Sequence, residues 1–173
     1  MTPVNAEQYK LGMRSLAHAV NIITASHDGR RYGMTATAVC SATAEPPTLL
    51  VCLNRNSATH GGVARSKAFC VNVLRAEDSE LSNQFSGAQS GEGRFKAREW
   101  TRLPTGSPGV GDALVALDRP GGEKPAPGTH PIFLGPGEQG LVGKKGGSPP
   151  YAAGQYAKLA HPAQGEPPPE GPG

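Results

Sequence analysis

The sequence predicts a mainly β protein, an antiparallel barrel of short strands decorated with a few helices. Three runs rich in apolar and β-branched residues, at 20–25, 48–53 and 69–74, have the length of strands. Turn sequences such as Asp28–Gly29 and Pro46–Pro47 separate neighbouring runs, and helical periodicity is confined to short segments. Strands joined by short turns are typical of antiparallel sheets that close into barrels.

Length and composition place most of the chain in one domain. The 173 residues are enough for a single hydrophobic core, which we assign to residues 1–160. Residues 161–173 are mostly proline, glycine, glutamate and glutamine. We expect a disordered tail there, because such residues bury too little apolar surface to offset the entropy of ordering.

Charge and hydropathy exclude several classes of protein. The formal net charge is +3 and the basic residues are scattered, so nucleic acid is not an expected ligand. The chain has no 18-residue apolar run and no signal-peptide pattern, so we expect no membrane span and a cytoplasmic location. The three cysteines, Cys40, Cys52 and Cys70, lie inside apolar runs without a Cys-x-x-Cys pair, which predicts reduced thiols and no metal site.

The first half of the chain alternates helices and strands. Asn5 is a suitable cap for a helix over residues 5–18, and strand 20–25 follows it. One long strand is predicted over residues 31–42, where hydroxyl residues alternate with apolar ones. Pro46–Pro47 ends that strand, and the apolar run 48–53 has the pattern of a central buried strand.

The segments that follow are shorter. A helix is predicted from Asn54 to about Ser66, with Asn56 or Ser57 as its N-cap. Strand 69–74 comes next, then a helix over residues 77–85 with Asp78 near its N-terminus, a Gly/Ser loop over 86–93 and one helical turn within 94–100. Residues 112–118 alternate like a strand.

Residues 119–150 fit the predicted barrel poorly. Arg-Pro-Gly-Gly at 119–122 and Gly-Pro-Gly at 135–137 would interrupt strands, because proline lacks a donor and glycine weakens pairing. Two interpretations stay open, a genuine long loop or a frameshift in the sequence. Strand-like residues return at 129–135, where Pro131 would permit only an edge strand, and apolar residues return at 151–157.

Small polar side chains accompany the central strands. Hydroxyls and a carboxamide can bind a phosphate or a ribityl chain, and the helix N-terminus after Asn54 adds backbone N–H donors and a favourable dipole. Arg55 could add a charge-assisted contact to a phosphate. The alternative is that these side chains meet only water, as threonines on β-surfaces commonly do. The candidate residues are Thr35, Thr37, Ser41, Asn54, Ser57 and Thr59.

His130 is the histidine best placed to act. Pro127–Gly128 and Pro131 hold it on a rigid turn, where it could orient a nicotinamide or donate a proton, although a surface turn histidine is an equal alternative. No His-x-x-x-His, paired acidic motif or Gly-x-Ser-x-Gly is present, so metal and hydrolase chemistry have no support. A Gly-x-Gly-x-x-Gly fingerprint is also missing, so a nicotinamide cofactor would not bind a Rossmann domain here.

The ordered fragments over residues 8–100 resemble the short-chain flavin reductase family. The fragments are Val-Asn-Ile-Ile-Thr-Ala at 20–25, Gly-Met-Thr-Ala at 33–36, Ser41 before Pro46–Pro47, Leu-Val-Cys-Leu-Asn-Arg at 50–55, Ser-x-Thr-His at 57–60 and Phe-Cys-Val-Asn-Val-Leu at 69–74. Phe85 and Arg94–Phe95 also fit, and Tyr151 opens a closing Tyr-x-x-Gly-x-Tyr-x-x-Leu stretch. Each fragment alone is weak, but their order and spacing make the resemblance specific.

The resemblance implies a split β-barrel, flavin-reductase-like and homodimeric, with the flavin near the subunit interface. It places the isoalloxazine and ribityl contacts on Thr35, Ala36, Thr37, Ala38 and Ser41, with further contacts on Cys52, Leu53 and Asn54. It places the phosphate on Ser57 and Thr59, and adds Phe85, Phe95 and Tyr151 to the cofactor site. His130 follows Gly-Thr where the family has Gly-Asp, so the histidine for the nicotinamide is kept and the acid is replaced.

The implied activity is NAD(P)H-dependent reduction of FMN or FAD, with the reduced flavin supplied to a partner monooxygenase. Three alternatives stay open: a flavin-binding module without turnover, a reductase for another acceptor such as a corrinoid, and a pyridoxamine phosphate oxidase. The last needs several basic phosphate ligands, and after Tyr32 the segment 32–74 offers only Arg55, Arg65 and Lys67.

Overall fold

A computed structural model describes residues 3–87, 91–124, 128–137, 140–143, 148, 150–153 and 155–157. The helices are α1 (Ala6–Arg14), α2 (Ala58–Ser66), α3 (Ser79–Ser86) and a 3₁₀-helix (Gly91–Lys96). The strands are β1 (His18–Ala19), β2 (Asn21–His27), β3 (Arg30–Ala36), β4 (Val39–Ala44), β5 (Pro47–Cys52), β6 (Ala68–Val73), β7 (Trp100–Arg102), β8 (Pro108–Val110), β9 (Val115–Pro120), β10 (Gly122–Lys124), β11 (Ile132–Pro136), β12 (Gly140–Val142), β13 (Pro150–Ala152) and β14 (Gln155–Tyr156). The predicted disordered tail lies outside the described residues.

Two antiparallel sheets dominate the fold. The larger has the order β12-β9-β6-β2-β3 and the smaller β10-β11-β5-β4, while β1-β13-β14 and β7-β8 form two small sheets. The prediction of a mainly β protein with few helices is confirmed. In the described part of the chain the sheets do not close into one barrel. No helix in that part is long and apolar enough to span a bilayer.

The core covers both faces of the larger sheet. Successive side chains of a strand point to opposite faces, so Ile22 packs with Leu74 and Phe85 on one side while Ile23 packs with Phe133 on the other. All five of these side chains are almost fully buried. The β-branched runs at 20–25 and 69–74 are therefore interior strands, as the sequence predicts.

The single strand predicted over residues 31–42 is wrong. It is two strands in different sheets: Ala36, at the end of β3, pairs with Asn21, while Val39, at the start of β4, pairs with Val51. The chain crosses between the sheets at residues 37–38, and Cys52 N donates to Ala38 O there (3.0 Å). The alternation of apolar and hydroxyl residues continues through the crossing, so the pattern gives no sign of it.

Helix boundaries also differ from the prediction. α1 ends at Arg14 instead of residue 18, and its predicted apolar face contributes no buried side chain. α2 begins at Ala58 with Ser57 as N-cap, one of the two predicted caps. The predicted loop over 86–93 contains the start of the 3₁₀-helix, which ends at Lys96.

Residues 119–150 hold strands β10, β11 and β12 and the end of β9, so the long-loop interpretation is wrong for the described residues there. Close packing around Phe69 explains the glycines. A Cβ on Gly121 would lie 2.8 Å from Phe69 Cε1, and one on Gly135 would lie 2.6 Å from Phe69 Cζ. The prediction of an edge strand at 129–135 is wrong, because β11 lies between β10 and β5. Pro131 precedes β11 and therefore removes no donor from the ladder.

The three cysteines are free thiols and differ in accessibility. Cys40 is exposed, Cys52 is half-buried and Cys70 is buried. Burial raises the pKa of Cys70, and the nearby Asp118 carboxylate raises it further. The pKa of Cys52 is raised by burial and then by Cys40. Since the thiolate is the reactive form, a raised pKa slows reaction at neutral pH.

We therefore expect a thiol reagent such as a chromogenic disulfide to modify Cys40 first, Cys52 more slowly and Cys70 only after unfolding. The rate at Cys52 should increase as pH rises. The Cys40→Ser variant provides the control: it should lose the fast phase, and Cys52 should react somewhat faster because Cys40 no longer raises its pKa. Modification of native Cys70 at the rate of Cys40 would contradict the assignment.

Candidate functional site

A cavity of about 410 Å³ lies along the free edge of β3, between the N-terminus of α2 and the helices that follow β6. β3 is an outer strand of the five-stranded sheet, so its backbone is unpaired on that side. Edge strands present N–H and C=O groups that can bind a planar ligand by its hydrogen-bonding rim. The walls include Arg30, Gly33, Thr35, Ser57, Thr59, Phe85 and Arg94.

Two side chains show which way the β3 backbone faces. Arg31 N donates to Glu92 Oε1 (2.8 Å), and Arg94 Nη1 donates to Gly33 O (2.9 Å). Because backbone groups of a strand alternate in direction, the N–H and C=O of Thr35 also face away from β2. The Thr35 hydroxyl donates to Ser82 O (2.6 Å), which fixes its side chain against α3.

Two further cavities extend this groove towards the strand crossing. One of about 320 Å³ shares Thr35 and Ser86 with the first and continues to Ala36 and Thr37. The next, of about 390 Å³, shares Thr37 and contains Ala38 and the exposed side of α1. The groove therefore follows β3 from its arginine-rich start to residue 38.

The C-terminal hairpin β13–β14 forms one wall of the groove. Tyr156 Oη donates to Ser82 Oγ (2.8 Å), and its ring packs edge-on against Tyr151 at 5.3 Å between centroids. Ser82 thus links the hairpin to α3, while its carbonyl accepts from Thr35. Both tyrosines line the middle cavity.

The N-terminus of α2 closes the other end. Ser57 Oγ accepts from His60 N (3.0 Å), as an N-cap does, and the first turn carries no acidic residue. Thr59 is buried on the same turn. Free backbone N–H groups and the helix dipole favour an anion at this end.

Eight of the predicted cofactor residues line these three cavities, and the others do not. Ser41 is exposed on β4, and Cys52 and Asn54 are half-buried at the end of β5. Leu53 and Phe95 are buried core residues that line none of the three cavities. The residues that line the groove are Thr35, Ala36, Thr37, Ala38, Ser57, Thr59, Phe85 and Tyr151.

His130 and Arg55 lie outside these cavities. His130 is exposed, with Nδ1 2.9 Å from Thr129 Oγ1. Arg55 N donates to Thr129 O (2.9 Å), which places the histidine loop beside the end of β5. Arg55 Nη1 pairs with Glu123 Oε1 at 3.0 Å, so its guanidinium is turned to a carboxylate and not to the groove.

Sequence reasoning gave the charged residues of the groove no part in the site. Arg30 and Arg31 begin β3, two to five residues before the strand reaches Gly33 and Thr35, and Arg94 comes from the 3₁₀-helix. Their signal was present, because two arginines follow the Asp28–Gly29 turn directly. Arg31 binds Glu92 and lowers the pKa of that carboxyl mainly through its side-chain hydrogen bond. Burial lowers the pKa of Arg94.

Comparison with known proteins identifies the family. The flavin reductase like domain matches residues 13–160. The chain belongs to the flavin reductase family. The predicted membership is therefore confirmed, and the groove along β3 lies within the matched domain.

Relatives carry more detailed names. The FMN reductase (NADH) RutF of Pantoea ananatis strain LMG 20103 is 46% identical over 131 residues, covering 76% of this chain and 69% of the relative. RutF of Stutzerimonas stutzeri strain A1501 is also 46% identical over 131 residues, which cover 76% of this chain and 75% of the relative.

Solved structures of the family have the same fold. A protein of Haemophilus somnus 129PT assigned as a flavin reductase superposes with a TM-score of 0.86 at 38% identity, over 90% of this chain and 100% of that one. BorF, the flavin reductase component of a bacterial two-component tryptophan halogenase, gives a TM-score of 0.82 at 25% identity, over 91% and 100%.

The residues of the groove fit a flavin. An edge strand with outward backbone groups at Thr35 suits the polar rim of an isoalloxazine, and hydroxyls at Thr37 and Ser57 suit a ribityl phosphate. Because Gly33 has no side chain, the Phe85 ring packs directly against the β3 backbone in the wall of the groove; a Cβ on Gly33 would lie 2.5 Å from Phe85 Cε1. The arginines and the α2 N-terminus supply positive charge for a phosphate.

Proposed function

We propose that this flavin reductase oxidises NADH, reduces FMN and releases reduced flavin to a partner flavin-dependent monooxygenase. The groove along β3 is the observation that carries the proposal, because it joins an edge strand, small hydroxyls and a cationic end in one continuous channel. The names of the RutF relatives favour FMN and NADH over FAD and NADPH. The halogenase component BorF supports a two-component partnership.

The bound cofactors supply the redox chemistry, which is transfer of a hydride from the nicotinamide to the flavin. The protein contributes position. The β3 backbone and Thr35 fix the rim of the ring, Ser57 and Thr59 hold the phosphate end, and the tyrosine wall from β13–β14 limits access of water. Holding two reactants in one groove makes the step effectively intramolecular. No nucleophilic side chain is required.

The proposal includes a homodimer in which the sheets complete a split β-barrel. Two surfaces support it: α1 buries none of its residues, and Leu11 is 68% and Val142 83% exposed. Exposed apolar groups of this kind are typical of surfaces that bind a partner. We also propose a cytoplasmic location, because the three free cysteines suit a reducing compartment.

The test is NADH oxidation by the purified protein, followed by NADH absorbance, with FMN, FAD or no added flavin. Turnover that rises with added FMN and exceeds the rate with FAD is the expected result. Flavin binding without NADH oxidation would contradict the proposed enzymatic activity and favour a flavin-binding module. Sedimentation at several concentrations checks the dimer.

His130 provides a second test, because it stands on the loop next to the end of β5 and its side chain is exposed. We expect His130→Ala to raise KM for NADH roughly tenfold, because about one charge-assisted or aromatic contact to the nicotinamide would be lost. The Kd for FMN should not change. Steady-state kinetics with NADH varied measures this. His27→Asn is the control, since His27 lines a different cavity and faces Asp28. An unchanged KM in His130→Ala would remove the histidine from the site.

A further inference from the structure

Tyr32, at the arginine-rich end of the groove, contacts two guanidinium groups. Arg30 Cζ is 5.6 Å and Arg65 Cζ is 5.5 Å from the centroid of the Tyr32 ring. Arg65 Nη2 also donates to Tyr32 Oη (3.2 Å). Helix α2 approaches the ring closely because Gly62 has no side chain, and a Cβ there would lie 2.5 Å from Tyr32 Cγ. The ring is therefore a fixed platform that orients both cations.

The charges at this end are unequal. Arg31 is neutralised by Glu92, with Nη2 and Oε2 2.5 Å apart. In the described part of the chain neither Arg30 nor Arg65 forms an ion pair. The first turn of α2 brings no acid either. The cavity thus brings Arg30, which has no ion-pair partner among the described residues, together with the uncharged side chains of Ser57 and Thr59.

We infer that Arg30, stacked on Tyr32, is the residue by which this site distinguishes a flavin phosphate ester from a flavin without phosphate. Ser57 and Thr59 can bind a phosphate oxygen but carry no charge, and Arg55, the sequence candidate for that charge, is paired with Glu123. Arg30 lines the same cavity as the two hydroxyl residues. A planar guanidinium offers two parallel donors to a phosphate, and its position on the ring reduces the entropy lost on binding.

The proposal rests on the proposed function, and the test separates the two. FMN and riboflavin are compared as ligands of the wild type, Arg30→Gln, Arg30→Lys and Arg102→Gln, using quenching of flavin fluorescence for Kd and NADH oxidation for KM. Arg102 is an exposed arginine on β7 that lines another cavity, so it controls for the loss of one positive charge.

We expect Arg30→Gln to weaken FMN binding about 10- to 100-fold, because one charge-assisted hydrogen bond would be lost. The Kd for riboflavin should stay within about twofold of the wild-type value. Arg30→Lys should lie between, because it keeps the charge but not the planar pair of donors. Arg102→Gln should match the wild type for both flavins. Added salt should weaken FMN binding less in Arg30→Gln than in the wild type.

The inference would be overturned if Arg30→Gln lost affinity for FMN and for riboflavin equally, or if it lost affinity for neither. If the wild type binds both flavins without oxidising NADH, the proposed function fails. The difference in Kd between FMN and riboflavin, and its loss in Arg30→Gln, would still support Arg30 as the group that distinguishes them.

Discussion

Replacing Phe85 with alanine is expected to lower the free energy of unfolding by about 3–5 kcal/mol, the usual cost of a fully buried phenylalanine. Phe85 is 1% exposed and packs against the rings of Phe95 and Trp100, at 5.2 and 5.4 Å between centroids. The cavity left behind would lie beside Gly33, so the wall of the flavin groove should become looser as well. Chemical denaturation measures the stability change.

A second variant separates the two roles of this ring. Phe85→Leu keeps most of the apolar volume, so its stability should remain much closer to the wild type than that of Phe85→Ala. If Phe85 contacts the flavin, as the family resemblance implies, Phe85→Leu should still weaken FMN in a fluorescence titration. Val4→Ala is the control, because Val4 is 71% exposed and such changes usually stay within about 0.5 kcal/mol. A stability loss for Phe85→Ala no larger than that of Val4→Ala would contradict the packing described above.

Gly33→Ala is expected to destabilise the protein by about 1–3 kcal/mol through overpacking. The new methyl would lie 2.5 Å from Phe85 Cε1 and 3.2 Å from Phe95 Cζ, two side chains that the core holds in place. The displaced Phe85 ring would move towards the cavity and narrow it, so FMN affinity should fall together with stability. Thermal unfolding with and without FMN measures both effects.

Gly93→Ala is the matched control. Gly93 is exposed in the 3₁₀-helix, and outside its chain neighbours and its own helix backbone no atom lies within 4 Å of its ideal Cβ position. Alanine there should stabilise the chain by about 0.5–1 kcal/mol, because glycine is a poor residue inside a helix. Opposite signs for the two substitutions are the expected outcome. A neutral or stabilising effect of Gly33→Ala would contradict the prediction, because it would show that the rings of Phe85 and Phe95 can move to make room for the methyl group.

The fold class and much of the groove could be predicted because they depend on local patterns. The apolar runs at 20–25, 48–53 and 69–74 overlap strands β2, β5 and β6, and Thr35 and Ser57 lie in the groove, as the resemblance implied. Strand pairing could not be predicted in the same way. The crossing at residues 37–38 depends on partners more than ten residues away, and no local residue marks it.

The charged end of the groove shows a different limit. Arg55 follows the strand motif and was the natural candidate for a phosphate, but Glu123, 68 positions later, comes from β10 to pair with it. Arg30 was overlooked because a hairpin strand beginning with two arginines is ordinary sequence. Its importance arises only when β3 becomes the sheet edge beside α2.

The bond between Tyr156 and Ser82 has a consequence for how the protein is made. The strands of the two large sheets all end by Val142, whereas the hairpin that walls the groove follows them in the chain. A nascent chain in which β13 and β14 have not yet emerged from the ribosome is therefore expected to pair its two large sheets and to leave the groove open. Proteolysis between β12 and β13 should likewise produce a fragment that retains those two sheets and loses tight flavin binding. The order of the strands in the chain thus delays flavin binding until the hairpin has formed.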